Sequence, residues 1–198
     1  MRPDLSIIIP VYREAATIEQ CLTRLGRSHE IDRCEIIVVD GDEGSTQTPG
    51  NIVPVHRLCA PAGRGTQLAA GARASQATAL LFLHVDTELP AGFVRSVLGA
   101  LVHRVAGAFD LHIVSQHPIV RLISIVGSIR SRLTRVPYGD QAQFVRRDVY
   151  EAAGGFPEVP ILEDVMFMER IRAAGHRISF LRPPARTSGR RWTVEGTV

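Results

Sequence analysis

Short runs of apolar residues alternate along the chain with longer segments in which apolar residues recur every three or four positions. The runs "LSIIIP" (5–10), "EIIVVD" (35–40) and "ALLFLHV" (79–85) consist mainly of aliphatic residues, which predicts buried strands. A weaker run at 51–58 contains Pro54. We predict an edge strand there, because proline cannot donate a hydrogen bond to a sheet.

The segments between these runs have the apolar spacing of helices. We predict helices at 14–26, 63–75 and 90–104, the first of them ending at Gly26. Strands that alternate with helices are typical of an α/β fold with a mostly parallel sheet. The order βαββαβα up to residue 105 is that of a nucleotide-binding half-domain.

After the run "GAFDLHIV" (107–114) the alternation is looser. "HPIVRLISIVGSIRSRLTRV" (117–136) is one long amphipathic segment, apolar at Ile119, Leu122, Ile123, Val126, Ile129 and Leu133. We expect this stripe to face the core, since amphipathic helices of globular proteins usually bury their apolar side. Membrane association is the alternative, because arginines on the segment could meet anionic headgroups. These arginines are Arg121, Arg130, Arg132 and Arg135.

The remainder of the chain predicts a strand in "QAQFVRR", helices in "DVYEAAGGF" and at 161–175, and a final strand. No internal repeat or low-complexity linker interrupts it. We therefore predict one domain, 1–198, with a nucleotide-binding half at 1–105 and a more variable half at 106–198.

The composition is that of a folded globular protein. Of the 198 residues, 45% are hydrophobic and 22% are charged, which argues against disorder. The net charge of +3 is modest and scattered, so nucleic-acid binding is disfavoured. All 23 basic residues are arginine, which excludes chemistry that needs a Schiff-base or P-loop lysine.

Cysteine usage and the N-terminus indicate a cytoplasmic protein. Cys21, Cys34 and Cys59 lack metal-site spacing and are odd in number, so we expect reduced thiols. A proline interrupts the short apolar stretch of "MRPDLSIIIPVYREA", unlike a signal peptide. No run approaches the ~18 apolar residues of a membrane span. We expect a cytoplasmic location, with peripheral contact at the inner face of the membrane as the alternative.

Polar side chains gather where the predicted strands end. Ligands of open α/β sheets bind beyond the carboxyl ends of the strands. Those ends carry Tyr12, Glu14, Asp40, His84, Asp86 and Glu88. One acid at a strand end is usually a turn or helix cap, but acids at three neighbouring ends repel one another unless a cation neutralises them. A divalent metal with oxygen ligands is the simplest explanation.

Three further motifs each leave two interpretations open. "AGRGTQ" starts a helix with glycines on both sides of Arg64, which suits a phosphate, although a plain turn into a helix is at least as common. Glu163 and Asp164 fall in the first turn of a helix, where they either stabilise the helix dipole by ~0.3–1 kcal/mol or supply a general base. "SGRRW" is either a solvated tail or a site for a diphosphate or a sugar face.

Taken in order, these segments resemble the family 2 glycosyltransferases of the GT-A fold over almost the whole chain. "SIIIPVYRE" resembles their P-x-Y-N-E strand, "EIIVVDGDEGS" their V-V-D-D-G-S segment, and "LFLHVDTELP" their strand ending in D-x-D. "AGRGTQLAAGA" is similar to their G-(K/R)-(G/A)…N-x-G segment and "YGDQAQFVRRDVYEAAGGF" to their acceptor-side stretch. "LEDV" resembles the E-D motif, and "SGRRW" a degenerate Q-x-x-R-W. The most similar subgroup is that of the bacterial radical-SAM/selenodomain-associated glycosyltransferases.

The resemblance implies a role for each matching residue. A UDP- or GDP-linked sugar would be held by Pro10, Tyr12, Glu14, Asp40, Arg64, His84, Arg191 and Trp192. Asp86 would bind Mg²⁺ or Mn²⁺ at the diphosphate, Asp164 would be the general base, and Glu163 would shape the site of that base. The implied reaction is an inverting, metal-assisted transfer to the hydroxyl of a small-molecule or lipid-linked acceptor, which residues 106–198 would bind.

Departures from the family pattern leave alternatives. Arg13 stands at the Asn position, His84 at the first position of D-x-D and Ser188 at the Gln position, and "DGDEGS" carries extra acids. His84 could weaken metal binding, so a non-catalytic nucleotide-sugar-binding module is one alternative. A nucleotidyltransferase is a weaker one, because "PVYREAA" is not a G-x-G-T-R loop. The chain ends six residues after Trp192, so we expect either a minimal member or a further C-terminal segment.

Overall fold

Among the described residues, eight strands form one mixed sheet. The computed structural model describes residues 2–42, 54–157, 159 and 161–189. The strands are β1 (Leu5–Val11), β2 (Cys34–Asp40), β3 (Val55–Cys59), β4 (Ala79–Phe82), β5 (Thr87–Glu88), β6 (Ala106–Val114), β7 (Phe144–Arg146) and β8 (Ile178–Ser188). Their order across the sheet is β3-β2-β1-β4-β7-β6-β8-β5.

Helices cover both faces of this sheet. They are α1 (Ala15–Gly26), α2 (Arg64–Ala74), α3 (Phe93–His103), α4 (Pro118–Thr134), α5 (Arg147–Ala152) and α6 (Glu163–Ala173). One apolar cluster joins α1 and α3 to the sheet, and a second joins α2, α5 and α6 to its other face. The predicted α/β class with a mostly parallel sheet is confirmed.

The half of the sheet formed by β3, β2, β1 and β4 is parallel. Successive residues of β1 enter opposite clusters: Ile7 and Ile9 pack with α1 and α3, whereas Ile8 packs with α2. A strand covered on both faces needs apolar side chains at nearly every position, which explains the continuous runs in the sequence. β3 lies at the edge of the sheet, as Pro54 predicts.

The strand β4 is shorter than predicted. It ends at Phe82 instead of reaching residue 85. The Leu83 N–H still donates to the Ile8 carbonyl at 3.0 Å, but the Thr87 N–H then donates to the His84 carbonyl at 3.0 Å and closes a turn. His84 and Asp86 therefore lie in a turn between β4 and β5, just beyond the sheet.

The second half of the sheet is mixed. β7 is antiparallel to both β4 and β6, β8 is parallel to β6, and β5 is antiparallel to β8. Only Ala106 and Gly107 of β6 pair with β7, so the later residues of β6 have no strand beside them on that edge in the part of the chain that the structure describes. Because buried backbone groups need hydrogen-bond partners, something other than a strand must supply them there.

Helix α4 supplies partners to this free edge of β6. The N–H groups of Leu111 and Ile113 donate to the hydroxyls of Ser128 at 2.9 Å and Ser124 at 2.8 Å. The Ser128 hydroxyl also donates to the Leu111 carbonyl at 3.2 Å. Small polar residues therefore form the side of α4 that packs on the sheet.

The predicted burial of the apolar stripe of α4 is wrong for most of its residues. Because the serine side faces β6, most of the large apolar side chains point away from the sheet, whereas Val120 and, in part, Ile123 pack against Leu111 and Ile113 of β6. The exposed ones are Ile119, Leu122, Ile125, Val126, Ile129 and Leu133. Arg132 of the same helix donates to the Asp110 carboxylate through Nε and Nη2, both at 2.9 Å, and so fixes the rotation of α4 further. Within the described residues, no helix has both the length and the apolar character to cross a bilayer.

An aromatic cluster holds the last helix against the sheet. The ring centroids of Phe82 and Phe156 are 4.7 Å apart, and those of Phe156 and Phe167 are 4.8 Å apart. Tyr150 of α5 packs on all three rings. Since Phe82 ends β4 and Phe167 belongs to α6, the cluster fixes the start of α6 close to the carboxyl end of β4.

Two helical glycines provide a matched test of this packing. A Cβ atom on Gly71 of α2 would lie 2.4 Å from Ile8 Cγ2, whereas one on Gly99 of α3 would meet nothing within 4 Å. We expect Gly99→Ala to raise the free energy of unfolding by up to ~1 kcal/mol, through helix propensity. The free energy of unfolding of Gly71→Ala should be about 1–3 kcal/mol lower than that of Gly99→Ala, because the added Cβ overpacks the contact with Ile8. Urea unfolding measures both, and equal stabilities would contradict the close packing of α2 on β1.

Candidate functional site

Two cavities meet beyond the carboxyl ends of β1 and β4. The first cavity, about 280 Å³, lies between the end of β1, the turn after β4 and the start of α2. The second cavity, about 610 Å³, lies between that turn, the start of α6, helix α4 and the end of β8. Arg64, His84 and Asp86 line both of them. A ligand in the first cavity could therefore touch a ligand in the second at these three side chains.

Most of the residues predicted to bind a nucleotide line the first cavity. Pro10 belongs to the last part of β1, Tyr12 and Glu14 follow this strand, and the three form one wall. Tyr12 exposes its ring to this cavity, with 47% of the residue accessible to solvent. Asp40 lies at the end of β2, and its Oδ1 accepts from the Asp42 N–H at 2.9 Å. Its carboxylate is buried and is not among the described groups that line this cavity.

Gln67 ties the strand ends of this cavity together, although no sequence motif points to it. Its Nε2 donates to the carbonyls of Val11 and Val39, both at 2.8 Å. Gln67 belongs to α2 and is 3% exposed, so one buried amide joins this helix to the ends of β1 and β2. Removing it would leave two buried carbonyls without this donor.

Arg64 begins α2 and is paired with acids of α6. Its Nε donates to Oε1 of Glu163, and its Nη2 lies 3.8 Å from Oδ1 of Asp164. Burial disfavours the charged guanidinium, but the Glu163 hydrogen bond and the neighbouring carboxylates raise the Arg64 pKa overall. Arg64 therefore offsets the charge of the carboxylates at the start of α6, and its predicted role in binding an anion stays a prediction.

The two helix starts can approach because the chain has glycines at their contact. Gly63, directly before α2, has a φ of 144°, a conformation that L side chains rarely adopt. A Cβ on Gly65 would lie 3.2 Å from Glu163 Cγ. The glycines of "AGRGTQ" therefore serve the turn and the packing against Glu163, which is 1% exposed.

Asp164, predicted as a general base, lies in the second cavity. Its Oδ2 accepts a short hydrogen bond from the Gly139 N–H. Its Oδ1 is buried and has no hydrogen-bond partner among the described residues. A Cβ on Gly139 would lie 2.7 Å from Asp164 Oδ2 and 2.9 Å from His84 Nε2. Asp164 and His84 therefore converge on the backbone of Gly139, where any larger residue would separate them.

Asp140 is a further acid of this cavity that no predicted role includes. It follows Gly139 in a 3-10 turn (Gly139–Gln141), and its Oδ1 is buried without a hydrogen-bond partner in the described part of the chain. Burial, and then the charges of Asp164 and Asp86, raise the pKa of the Asp140 carboxyl to about 6. Its motif, "YGDQ", gives no sign of this burial, because the neighbouring acids come from distant segments.

The metal prediction rests on Asp86, which lines both cavities. Within the described ranges, no three His, Cys, Asp or Glu side chains are close enough to form a metal site. Oδ1 of Asp140 and Oδ1 of Asp164 are nonetheless buried without a hydrogen-bond partner in the described part of the chain, and a cation would satisfy both. Glu88 is exposed in β5, opposite Arg186 of β8, and lines neither cavity.

The C-terminal prediction cannot be placed in the same way. Arg191 and Trp192 lie outside the described residues. The preceding strand, β8, ends at Ser188, and both Thr187 and Ser188 line the second cavity.

The chain matches a known family over most of its length. The sequence profile of glycosyl transferase family 2 matches residues 6–154. No curated protein sequence matches the chain significantly.

Solved structures share the fold. S. aureus TarS (residues 1–349) superposes with a TM-score of 0.71 at 15% identity, over 94% of this chain and 60% of TarS. The same enzyme in complex with UDP-GlcNAc superposes with a TM-score of 0.71 at 16% identity, over 93% and 58%. A mannosyltransferase from Pyrobaculum calidifontis, in complex with GDP-Man and Mn²⁺, has a TM-score of 0.69 at 21% identity, over 95% and 57%. The predicted GT-A fold is confirmed, and the chain spans less than two thirds of each of these structures.

Asp140 predicts a pH dependence of stability. Its pKa is raised from 3.8 to about 6 in the folded state, so the folded state holds this proton more tightly than the unfolded chain. The resulting stabilisation is present below pH 4 and is lost as the pH rises through 6. Asp140→Asn should therefore be more stable than the wild type at pH 8 by on the order of 1–3 kcal/mol, since one pKa unit corresponds to ~1.4 kcal/mol. At pH 4 the two should be similar.

Urea unfolding in EDTA at pH 4, 6 and 8 measures this difference. Asp148→Asn is the matched control, because the hydrogen bond from Arg146 lowers the pKa of that exposed carboxyl. Replacing the Asp148 carboxylate should not raise the free energy of unfolding at any pH from 4 to 8. A gain for Asp140→Asn that does not grow with pH would contradict the buried, repelled state of Asp140.

Proposed function

Since the chain belongs to glycosyl transferase family 2, we propose that it transfers a sugar from a nucleoside-diphosphate sugar to an acceptor hydroxyl. The observation that carries this proposal is the junction of the two cavities at Arg64, His84 and Asp86. Sugar transfer requires two substrates whose reacting atoms meet, and this junction brings a phosphate-binding arginine and a carboxylate to the meeting point.

The first cavity would hold the donor. Tyr12 offers an aromatic face for the base, and Glu14 is a carboxylate that could accept from ribose hydroxyls. Asp40, proposed for the same role, is buried behind the residues that line this cavity. Arg64 and the start of α2 would face the diphosphate, since a helix N-terminus and a guanidinium both favour anions. TarS was solved with UDP and with UDP-GlcNAc and the mannosyltransferase with GDP-Man, which supports a UDP- or GDP-linked sugar. Arg191 and Trp192 are proposed to close over the donor phosphates or the acceptor.

A divalent cation, Mg²⁺ or Mn²⁺, fits beside Asp86. The mannosyltransferase structure contains Mn²⁺ together with its donor. In this chain Asp86 would provide a carboxylate ligand, and the donor diphosphate would have to complete the coordination. When bound, such an ion stabilises negative charge on the leaving nucleoside diphosphate. His84, in place of an acid, makes the protein's own share of this coordination small.

Asp164 is proposed as the general base of an inverting transfer. The acceptor oxygen would form a bond to C1 of the sugar as the bond from C1 to the diphosphate oxygen breaks. The acceptor proton would move to Oδ1 of Asp164, the oxygen that the Gly139 N–H does not occupy. Glu163 would act indirectly, by holding Arg64 close to this base.

A non-catalytic nucleotide-sugar-binding module is the second candidate. It is favoured by His84 and by the lack of three metal ligands close together within the described ranges. Such a module would bind nucleotide sugars without turnover. The narrower placement with the radical-SAM/selenodomain-associated subgroup, the single-domain organisation and the cytoplasmic location stay predictions.

The donor site predicts nucleotide binding that depends on Asp86 and a metal. Calorimetric titration with UDP and GDP should show binding that tightens about tenfold or more when Mn²⁺ is added, given the cost of an uncompensated diphosphate charge beside carboxylates. Asp86→Asn should reduce this metal effect and leave binding without Mn²⁺ similar. Absence of binding to either nucleotide would remove the donor-site assignment.

The base assignment predicts a loss of transfer without a loss of donor binding. Asp164→Asn should lower the rate of sugar transfer, or of donor hydrolysis, by roughly 10²–10⁴-fold. Nucleotide affinity should remain within about threefold, because Arg64 keeps its bond to Glu163. Glu169→Gln, an exposed carboxylate on the same helix, is the control and should keep full activity. Unchanged transfer by Asp164→Asn would exclude this residue as the base.

A further inference from the structure

We propose that the acceptor is an amphiphile: an apolar chain lies in the second cavity along α4, and an anionic group next to that chain binds Arg130. The inference rests on the proposed function, because it assigns the substrate class of the same second cavity.

The second cavity changes character along its length. Its end at the junction is lined by carboxylates, of which Asp86, Asp140 and Asp164 are the members. Its other end is lined by aliphatic side chains from β6, α4 and the residue before α6: Leu111, Ile113, Leu122, Ile123, Val126 and Leu162. A molecule that fills about 610 Å³ must satisfy both ends. A polar sugar acceptor would leave the aliphatic end without a favourable contact, whereas an apolar chain would bury it.

The orientation of α4 makes this apolar wall a fixed feature. Ser124 and Ser128 bind the backbone of β6, and Arg132 binds Asp110, so the helix cannot rotate without breaking these hydrogen bonds. Leu122 and Val126 are therefore held outwards, with 59% and 54% of each residue exposed. A helix that could bury these side chains by turning would gain stability, but here the polar contacts prevent it.

Arg130 supplies a positive charge to the lining of the second cavity. It lines the second cavity on the side of α4 that also carries Val126 and Gly127. Its guanidinium stacks on the ring of Tyr138, with 4.3 Å between Cζ and the ring centroid. Its Nη1 is buried and has no hydrogen-bond partner among the described residues. A buried donor of this kind calls for an acceptor group, and an anion such as a phosphate would satisfy both its charge and its hydrogen bond.

A membrane surface or a second copy of this chain would use α4 differently. Both would cover its whole exposed side, including Ile129 and Leu133, which do not line the cavity. A chain in the cavity would contact only Leu122, Ile123 and Val126. The two halves of the exposed side of α4 therefore distinguish the occupants.

The test is calorimetry of the full chain with alkyl phosphates below their critical micelle concentrations and with 1-alkanols below their solubility limits, each of four to ten carbons. We expect the affinity for alkyl phosphates to rise roughly fourfold per added methylene until the cavity is filled. The alkanols should bind at least tenfold more weakly, because they cannot form the charged hydrogen bond to Arg130. Arg130→Gln should remove this preference for the phosphate and keep the dependence on chain length.

Leu122→Ser and Val126→Ser should each weaken decyl phosphate binding about tenfold or more, through the loss of apolar contact. Leu133→Ser, on the same helix and 79% exposed, is the matched control and should bind like the wild type. Equal losses in all three variants, or binding that is independent of chain length, would overturn the proposal. Two further results would overturn it: a dimer in sedimentation experiments, or binding to phosphatidylglycerol vesicles. Either would do so if Leu122→Ser and Leu133→Ser weakened that association to the same degree.

UDP and GDP titrations on the same samples separate this proposal from the proposed function. Nucleotide binding without chain-length dependence would overturn the amphiphilic acceptor and leave the transferase assignment intact. Chain-length dependence without nucleotide binding would instead overturn the transferase assignment, and with it the role of the chain as an acceptor. Both responses together, with decyl phosphate binding retained when UDP and Mn²⁺ are present, would support the two proposals.

Discussion

One half-buried cation, the guanidinium of Arg64, holds the candidate site together. Carboxylates from three separate segments converge around it: Asp86, Asp140, Glu163 and Asp164. Arg64 is bonded to Glu163 and lies near Asp164, so it offsets part of their repulsion and joins the start of α2 to the start of α6. These acids still outnumber the arginine. A diphosphate entering beside Arg64 would therefore be accompanied most favourably by a further cation, which links donor binding to metal binding through charge alone.

The front half of the fold was accessible from the sequence because each of its elements carries a local signal. Parallel strands covered on both faces produce runs such as 5–10 and 35–40, and these became β1 and β2. The extent of β4 was not accessible, because its end is set by a turn hydrogen bond from Thr87 to His84. The rotation of α4 about its own axis could not be predicted from the sequence either. An amphipathic pattern shows that a helix has a polar and an apolar side. Which side of α4 packs on the sheet depends on the backbone groups at the free edge of β6.

The same distinction applies to the site. Asp86 and Asp164 follow recognisable patterns, a strand end and the first turn of a helix, and the structure brings both to the second cavity. Asp140 and Gln67 have no comparable signal. Asp140 is unusual only through burial and through acids far away in the chain, and Gln67 through bonds to the ends of two strands. Properties that arise from contacts between distant segments require the folded arrangement.

The serine contacts of α4 also determine how the sheet ends. Past Gly107, β6 would present unpaired N–H and carbonyl groups, a template on which a strand from another molecule could assemble. The hydroxyls of Ser128 and Ser124 accept hydrogen bonds from the N–H groups of Leu111 and Ile113, so α4 covers the open edge as a helix does in many sheets. The packing of α4 on β6 therefore both protects the edge of this strand and forms the apolar wall of the cavity. A change that loosened α4 would expose a strand edge prone to pairing with other chains, and it would also remove the apolar wall of the second cavity.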